Sequence, residues 1–222
     1  MSQHLCFGWT GDSITEGYGD NQTISCRGVS FRFTANQLNT VGAPSMIHYN
    51  MGVSGRLVHQ YLDVAKSIID SDPTRFTAIL TSVWSPNKPA EAPLAGNWST
   101  DPVNLAAMIS ALKNFETWLL DRSIVFMPTF MAGSWSTFTT NNRIALQGHL
   151  DNCIAKWPWL LNFNEPIQDP AYTDGPRIGP NYGTDGIHPD VRGYDAQYDW
   201  GASRLIPTFN QACTAYGFVD LP

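Results

Sequence analysis

The chain alternates short apolar runs with longer stretches whose spacing suits helices. The runs cover residues 5–9, 46–49, 78–84, 124–130 and 159–163, and three of them are almost continuously apolar. A strand of a parallel sheet is covered on both faces, so it carries such a run rather than strict alternation. Between the runs, the pattern predicts helices near 30–39, 57–69, 103–120 and 142–157. In the third, Leu105, Met108, Ile109, Leu112 and Phe115 recur at three- and four-residue steps and make one apolar stripe. Asp101 followed by Pro102 reads as its cap and first turn. A last helix is expected from about Pro189 to just before Gly217.

This β-α-β-α order predicts an α/β domain, a three-layer α/β/α sandwich around a parallel sheet of about five strands. One domain is expected to span residues 1–222. In such sheets ligands sit beyond the carboxyl ends of the strands. The loops that fall there, 11–28, 85–100, 131–140 and 164–185, are long, and the last is rich in Pro, Gly, Asp and Asn.

Composition narrows the function. Hydrophobic residues are 43% of the chain, enough for a sizeable core, while charged residues are only 14%. The formal net charge is −6 and no basic cluster occurs, which argues against nucleic acid and anionic membrane as partners. No apolar run approaches the roughly 18 residues needed to cross a bilayer. The opening MSQHLCFGWTGDS lacks a basic start followed by an apolar run and is not read as a signal peptide. Localisation is left open between the cytoplasm and export with a leader removed. The cysteines Cys6, Cys26, Cys153 and Cys213 show no CxxC, so neither a zinc site nor a disulfide framework is expected. His4, His48, His59 and His149 lack ligand spacing, and no phosphate loop or dinucleotide fingerprint occurs, so no metal or cofactor is expected.

Two segments carry chemistry. The first strand runs into Gly11-Asp12-Ser13-Ile14-Thr15-Glu16-Gly17, and Asp185-Gly186-Ile187-His188-Pro189 stands near the other end. A serine hydroxyl is a poor nucleophile unless a base takes its proton and a third group orients that base. Asp185 and His188 can meet around one turn that Gly186 permits, and Ser13 lies just past a strand end. Asp12 is read as a turn stabiliser and Glu16 as a solvated or loop-bonded carboxylate. Ser54 is a rival hydroxyl, but it lies in no GxSxG elbow.

The pairing resembles the SGNH hydrolases, also called GDSL esterases. Gly11-Asp12-Ser13 matches the family's first block and Asp185 to His188 its last. Asn50-Met51-Gly52-Val53-Ser54-Gly55 is similar to the second, with Gly52 as its glycine. Ser85-Pro86-Asn87-Lys88 carries the asparagine of the third block without its usual glycine and aspartate. The resemblance implies a flavodoxin-like fold and metal-independent ester hydrolysis by Ser13, His188 and Asp185. It also implies an oxyanion hole of the Ser13 and Gly52 amides and the Asn87 side chain.

Trp84, Trp98 and Trp135 fall at or after strand ends and are expected at the rim of the crevice, where flat aromatic faces suit sugar rings or acyl groups. With polar loops and no long apolar lid, this favours removal of acetyl or another short acyl group from a saccharide. Within the family, lipase, lysophospholipase, thioesterase and arylesterase remain open. From another class, so does a non-catalytic carbohydrate-binding module on a hydrolase-like fold. The oligomeric state is not legible.

Overall fold

The computed structural model describes residues 5–20, 28–38, 46–87, 100–131, 139–183 and 188–218. Five strands, β1 (Leu5–Thr10), β2 (Met46–Asn50), β3 (Ala78–Ser82), β4 (Val125–Phe130) and β5 (Leu161–Asn162), form one sheet in the order β2-β1-β3-β4-β5. Every pairing is parallel, with Trp9 beside Asn50 on one side and Thr10 beside Thr81 on the other. The helices are α1 (Ser13–Glu16), α2 (Gly28–Leu38), α3 (Val58–Ser71), α4 (Pro102–Leu120), α5 (Thr140–Lys156), α6 (Val191–Ala202) and α7 (Leu205–Tyr216).

Alternation within each strand divides the core in two. Leu5, Phe7 and Trp9 of β1, Ala78 and Leu80 of β3 and Val125 and Met127 of β4 meet Val29 and Phe33 of α2, Tyr194 of α6 and Phe209 of α7. Cys6, Ile79 and Phe126 point the other way, onto Tyr61 and Leu62 of α3, Leu112 and Phe115 of α4 and Leu150 of α5. The sheet is thus covered on both faces from β1 to β4, while at the edge strand β2 Ile47 and Tyr49 are exposed. The predicted stripe on α4 buries Met108, Leu112 and Phe115, and Asp101 caps it by accepting from the amides of Val103 and Asn104. Burial of each such large side chain stabilises the fold by about 1.5–3 kcal/mol.

Two local predictions need correction. The single last helix is two helices, because a turn at Ser203 and Arg204 redirects the chain so that both pack on the same face. The four-residue α1 has no counterpart in the pattern, being too short to show a helical period. Among the described residues, no helix is long and apolar enough to cross a membrane.

The connections put β2 on one side of β1 and β3 on the other. The loops that leave the carboxyl ends of β1, β2 and β3 therefore diverge around one crevice, the place where such sheets bind ligands.

Candidate active site

The turn after β1 is built by close contacts that admit no side chain at key points. A β-carbon at Gly11 would lie 2.0 Å from Thr15 Oγ1 and 3.0 Å from the Ser82 β-carbon. Asp12 then caps α1, its Oδ1 accepting from the Ile14 amide at 2.9 Å, which sets Ser13 at the first helical position. Gly17 ends the helix in the left-handed region at φ 90°, and the Tyr18 amide donates back to the Ser13 carbonyl at 2.8 Å. The Tyr194 hydroxyl of α6 sits 3.0 Å from the Ile14 carbonyl and 3.1 Å from that of Tyr18. At the far end, the buried Asp20 takes the Arg32 guanidinium of α2 at 2.5 Å.

His188 arrives from 175 positions away. A bridge between Gly183 and Pro189 closes the loop that precedes α6, and the Asp190 amide donates to the Tyr182 carbonyl at 2.7 Å. The ring fits because Gly19, at φ +92°, has no β-carbon, which would lie 2.9 Å from that of His188. His188 Nε2 then stands 2.9 Å from Ser13 Oγ. Ser13 is 7% exposed and His188 8%, so the pair is largely shielded from water. With its proton on Nδ1, the imidazole offers Nε2 as an acceptor for the serine hydroxyl. Asp185, expected to hold that Nδ1, lies outside the described residues.

Asp12 is buried beside this pair. Desolvation pushes its carboxyl up to about 6, against the pull of the Ile14 amide, the Ser85 hydroxyl and the His188 charge. Its Oδ2 has no hydrogen-bond partner. Glu16 is bonded to a loop: its Oε2 accepts from the Ser54 amide at 2.7 Å and from the Ser54 hydroxyl. The rival hydroxyl of Ser54 thus faces a carboxylate.

The second loop departs from expectation. A β-carbon at Gly52 would lie 2.4 Å from the Glu16 nitrogen, so this glycine is demanded by packing against α1. Its amide donates to Asn50 Oδ1 at 2.8 Å and does not face Ser13, which corrects its assignment to an oxyanion hole. The amides of Met51, Val53 and Ser54 also have acceptors, in the Trp9 and Gly11 carbonyls and Glu16. The first amide of this loop without an acceptor among the described residues belongs to Gly55. Gly55 is at φ +74° with open space where a β-carbon would be. The Ser13 amide likewise has no acceptor among the described residues. Following amide acceptors along the loop, a test that sequence does not offer, singles out Gly55.

Asn87 is also placed differently. Its side-chain nitrogen donates to the Arg56 carbonyl at 3.0 Å and to Ser85 Oγ at 3.1 Å, which engages both protons. The side chain ties the loop after β3 to the loop after β2 and, in this arrangement, has no proton left for an oxyanion. Serine at 85, where the family pattern has glycine, supplies the second acceptor.

Of the tryptophans, Trp84 is fully buried in the core near Phe130, their ring centroids 6.4 Å apart, so it does not rim the crevice. Trp98 and Trp135 lie outside the described residues. Among the described residues, the aromatic that does stand at the pair is Tyr18, which sequence reading passed over. It is 49% exposed, and its ring centroid lies 4.7 Å from that of His188. Its place within the GDS turn is the signal that could have found it.

The other described core histidines have structural partners. His48 Nδ1 accepts from the Trp9 indole at 3.0 Å, and His149 Nε2 lies 2.8 Å from the Val83 carbonyl. Among the described residues, no cluster of His, Cys, Asp or Glu could hold a metal ion.

No protein-family model matches the sequence, and no curated protein is similar to it. Solved structures do share its architecture. An esterase from Pseudoalteromonas sp., EstA, inhibited by monoethylphosphonate, superposes with a TM-score of 0.61 at 13% identity over 92% of this chain and 98% of its own. A catalytic mutant of Axe2, an acetylxylan esterase from Geobacillus stearothermophilus, gives 0.62 at 11% identity, covering 92% and 96%. A GDSL-like lipase from Bacteroides thetaiotaomicron gives 0.54 at 16% identity, covering 95% and 89%. At such identities the likeness is one of fold.

Proposed function

We propose that this chain, which has the fold of the SGNH hydrolases, is a serine esterase that cleaves carboxylic esters through an acyl-serine intermediate. The observation that carries the reading is the 2.9 Å contact between Ser13 Oγ and His188 Nε2 at the carboxyl edge of β1. Ser13 Oγ attacks the ester carbonyl as His188 takes its proton at Nε2. The same proton then passes to the departing alcohol. Water, deprotonated by His188, releases the acyl group from Ser13. Asp185 is the proposed partner of His188 Nδ1, three residues away in the loop that the Gly183–Pro189 bridge closes. Its charge would fix the tautomer and offset the imidazolium.

The oxyanion needs donors fixed before the reaction, each worth about 3–4 kcal/mol of barrier lowering. The Ser13 and Gly55 amides are the proposed donors, since neither has an acceptor among the described residues.

The proposed substrate is a saccharide ester carrying acetyl or another short acyl group. Two observations support it: the exposed Tyr18 ring beside His188, a flat face for a sugar leaving group, and the shared fold with an acetylxylan esterase. The test compares acetylated oligosaccharides with p-nitrophenyl palmitate. Release of acetate from the oligosaccharides is the expected result. Cleavage of the long-chain ester alone would make the protein a lipase.

A further inference from the structure

We infer that Tyr194 and Arg32 are positioning residues of this esterase: from α6 and α2 they lock the Ser13 turn against the segment that carries His188, and so set the gap across which the proton moves. The inference rests on the esterase reading and adds residues that act through its nucleophile and base. Strand pairing places Ser13 at the end of β1, but His188 lies outside the sheet, in the chain that leads into α6. Side-chain contacts, rather than strand register, must hold the two segments together.

Tyr194 is fully buried, and its hydroxyl shares one proton between two carbonyls, that of Ile14 at 3.0 Å and that of Tyr18 at 3.1 Å. Ile14 follows Ser13 directly. Tyr18 is the residue whose amide donates to the Ser13 carbonyl and whose ring centroid lies 4.7 Å from that of His188. Among the described residues, no other donor reaches the Tyr18 carbonyl. One hydroxyl on α6 thus holds both the nucleophile turn and the ring beside the base.

Arg32, buried on α2, spans the same two segments. Its Nη1 donates to Asp20 Oδ2 at 2.5 Å, in the chain that continues from the Ser13 turn. Its Nη2 donates to the Val191 carbonyl at 3.3 Å, at the start of α6 just past His188, and its Nε to Asp195 Oδ1 at 2.5 Å. The guanidinium carbon also stands 5.6 Å from the centroid of the Tyr194 ring. A planar fork of donors can reach these partners at once, whereas a lysine ammonium would keep the charge and lose the span. Between the two anchors, Gly19 packs so closely that a β-carbon there would lie 2.6 Å from the Pro189 carbonyl oxygen. Proton transfer needs heavy atoms about 2.6–3.2 Å apart, and a misplacement of about 1 Å can cost about 10²-fold in rate.

The experiment measures kcat and KM for p-nitrophenyl butyrate in the wild type, Tyr194→Phe and Arg32→Lys, and repeats both substitutions in a His188→Ala background. Denaturant melts give the folded fraction of each variant, and rates are taken per folded protein. Tyr194→Phe, which keeps the ring, is expected to lower kcat by about tenfold or more with KM within about twofold. Arg32→Lys is expected to lower kcat by about threefold or more. Without His188 there is no alignment left to lose, so each loss should shrink to less than about twofold. A role in the fold alone would leave kcat per folded protein unchanged, or lower it equally with and without His188. Either result would overturn the positioning while leaving the esterase standing. Should Tyr194→Phe not fold, Arg32→Lys carries the same readouts. No hydrolysis by the wild type would overturn the esterase reading and the positioning with it.

Discussion

Two loops at the same edge of the sheet, the turn after β1 and the loop after β2, both carry glycines and serines, yet they behave differently. In the first, Gly11, Gly17 and Gly19 allow backbone and ring contacts that aim Ser13 at His188. In the second, Gly52 is a packing glycine against Glu16, and the amides through Ser54 are consumed inside the protein. The lesson is that a glycine in a motif reports close approach of something, and only the neighbours say whether that is substrate or backbone.

The largest effect should separate the two hydroxyls. Replacing Ser13 or His188 by Ala is expected to lower kcat for p-nitrophenyl butyrate by about 10⁴-fold or more, because nucleophile and base act as a unit. Ser54→Ala removes only the tether to Glu16 and should cost less than about tenfold. Equal losses at Ser13 and Ser54 would erase the distinction between the loops.

A smaller effect separates the two glycines of the second loop. Gly52→Ala forces a β-carbon against the backbone of α1 and should destabilise the fold by about 1–3 kcal/mol. Gly55→Ala meets open space and bears only the left-handed conformation at φ +74°, about 1–2 kcal/mol. Denaturant melts of the two variants measure the order, and a larger loss at Gly55 would contradict the packing account.

A last effect is in pH. Burial raises the Asp12 carboxyl from 3.8 to about 6, so between those values the folded state holds a proton that the unfolded chain has lost. Its contribution to stability is therefore present below about pH 4 and declines as pH rises through 6. Asp12→Asn should melt higher than the wild type at pH 7.5, and the gap should close by pH 4. His48 has the opposite sign: burial lowers it from 6.5 to about 4, so its contribution is present above pH 6.5 and is lost as pH falls through 4.

Much of this was legible in sequence. Apolar runs located the strands, most clearly β1, β3 and β4, which are buried on both faces, and the cap at Asp101 marked the start of α4. The serine and histidine could be named because their chemistry requires a pair of this kind. What failed were matters of direction. A continuous apolar run cannot say that Trp84, two residues past the end of β3, still faces the interior. A glycine block cannot show that the Gly52 amide turns to Asn50, nor an asparagine that its amide is spent on Arg56 and Ser85. Tyr18 is not singled out because an aromatic inside the turn after β1 looks the same in sequence as one that fills the core.

The most direct test of the central claim is covalent: treat the folded protein with a p-nitrophenyl alkylphosphonate and map the modified peptide by mass spectrometry. Stoichiometric label on Ser13, absent in Ser13→Ala and strongly slowed in His188→Ala, is the predicted result. No label on correctly folded protein, as a non-catalytic binding module would give, or label on Ser54 instead, would contradict it.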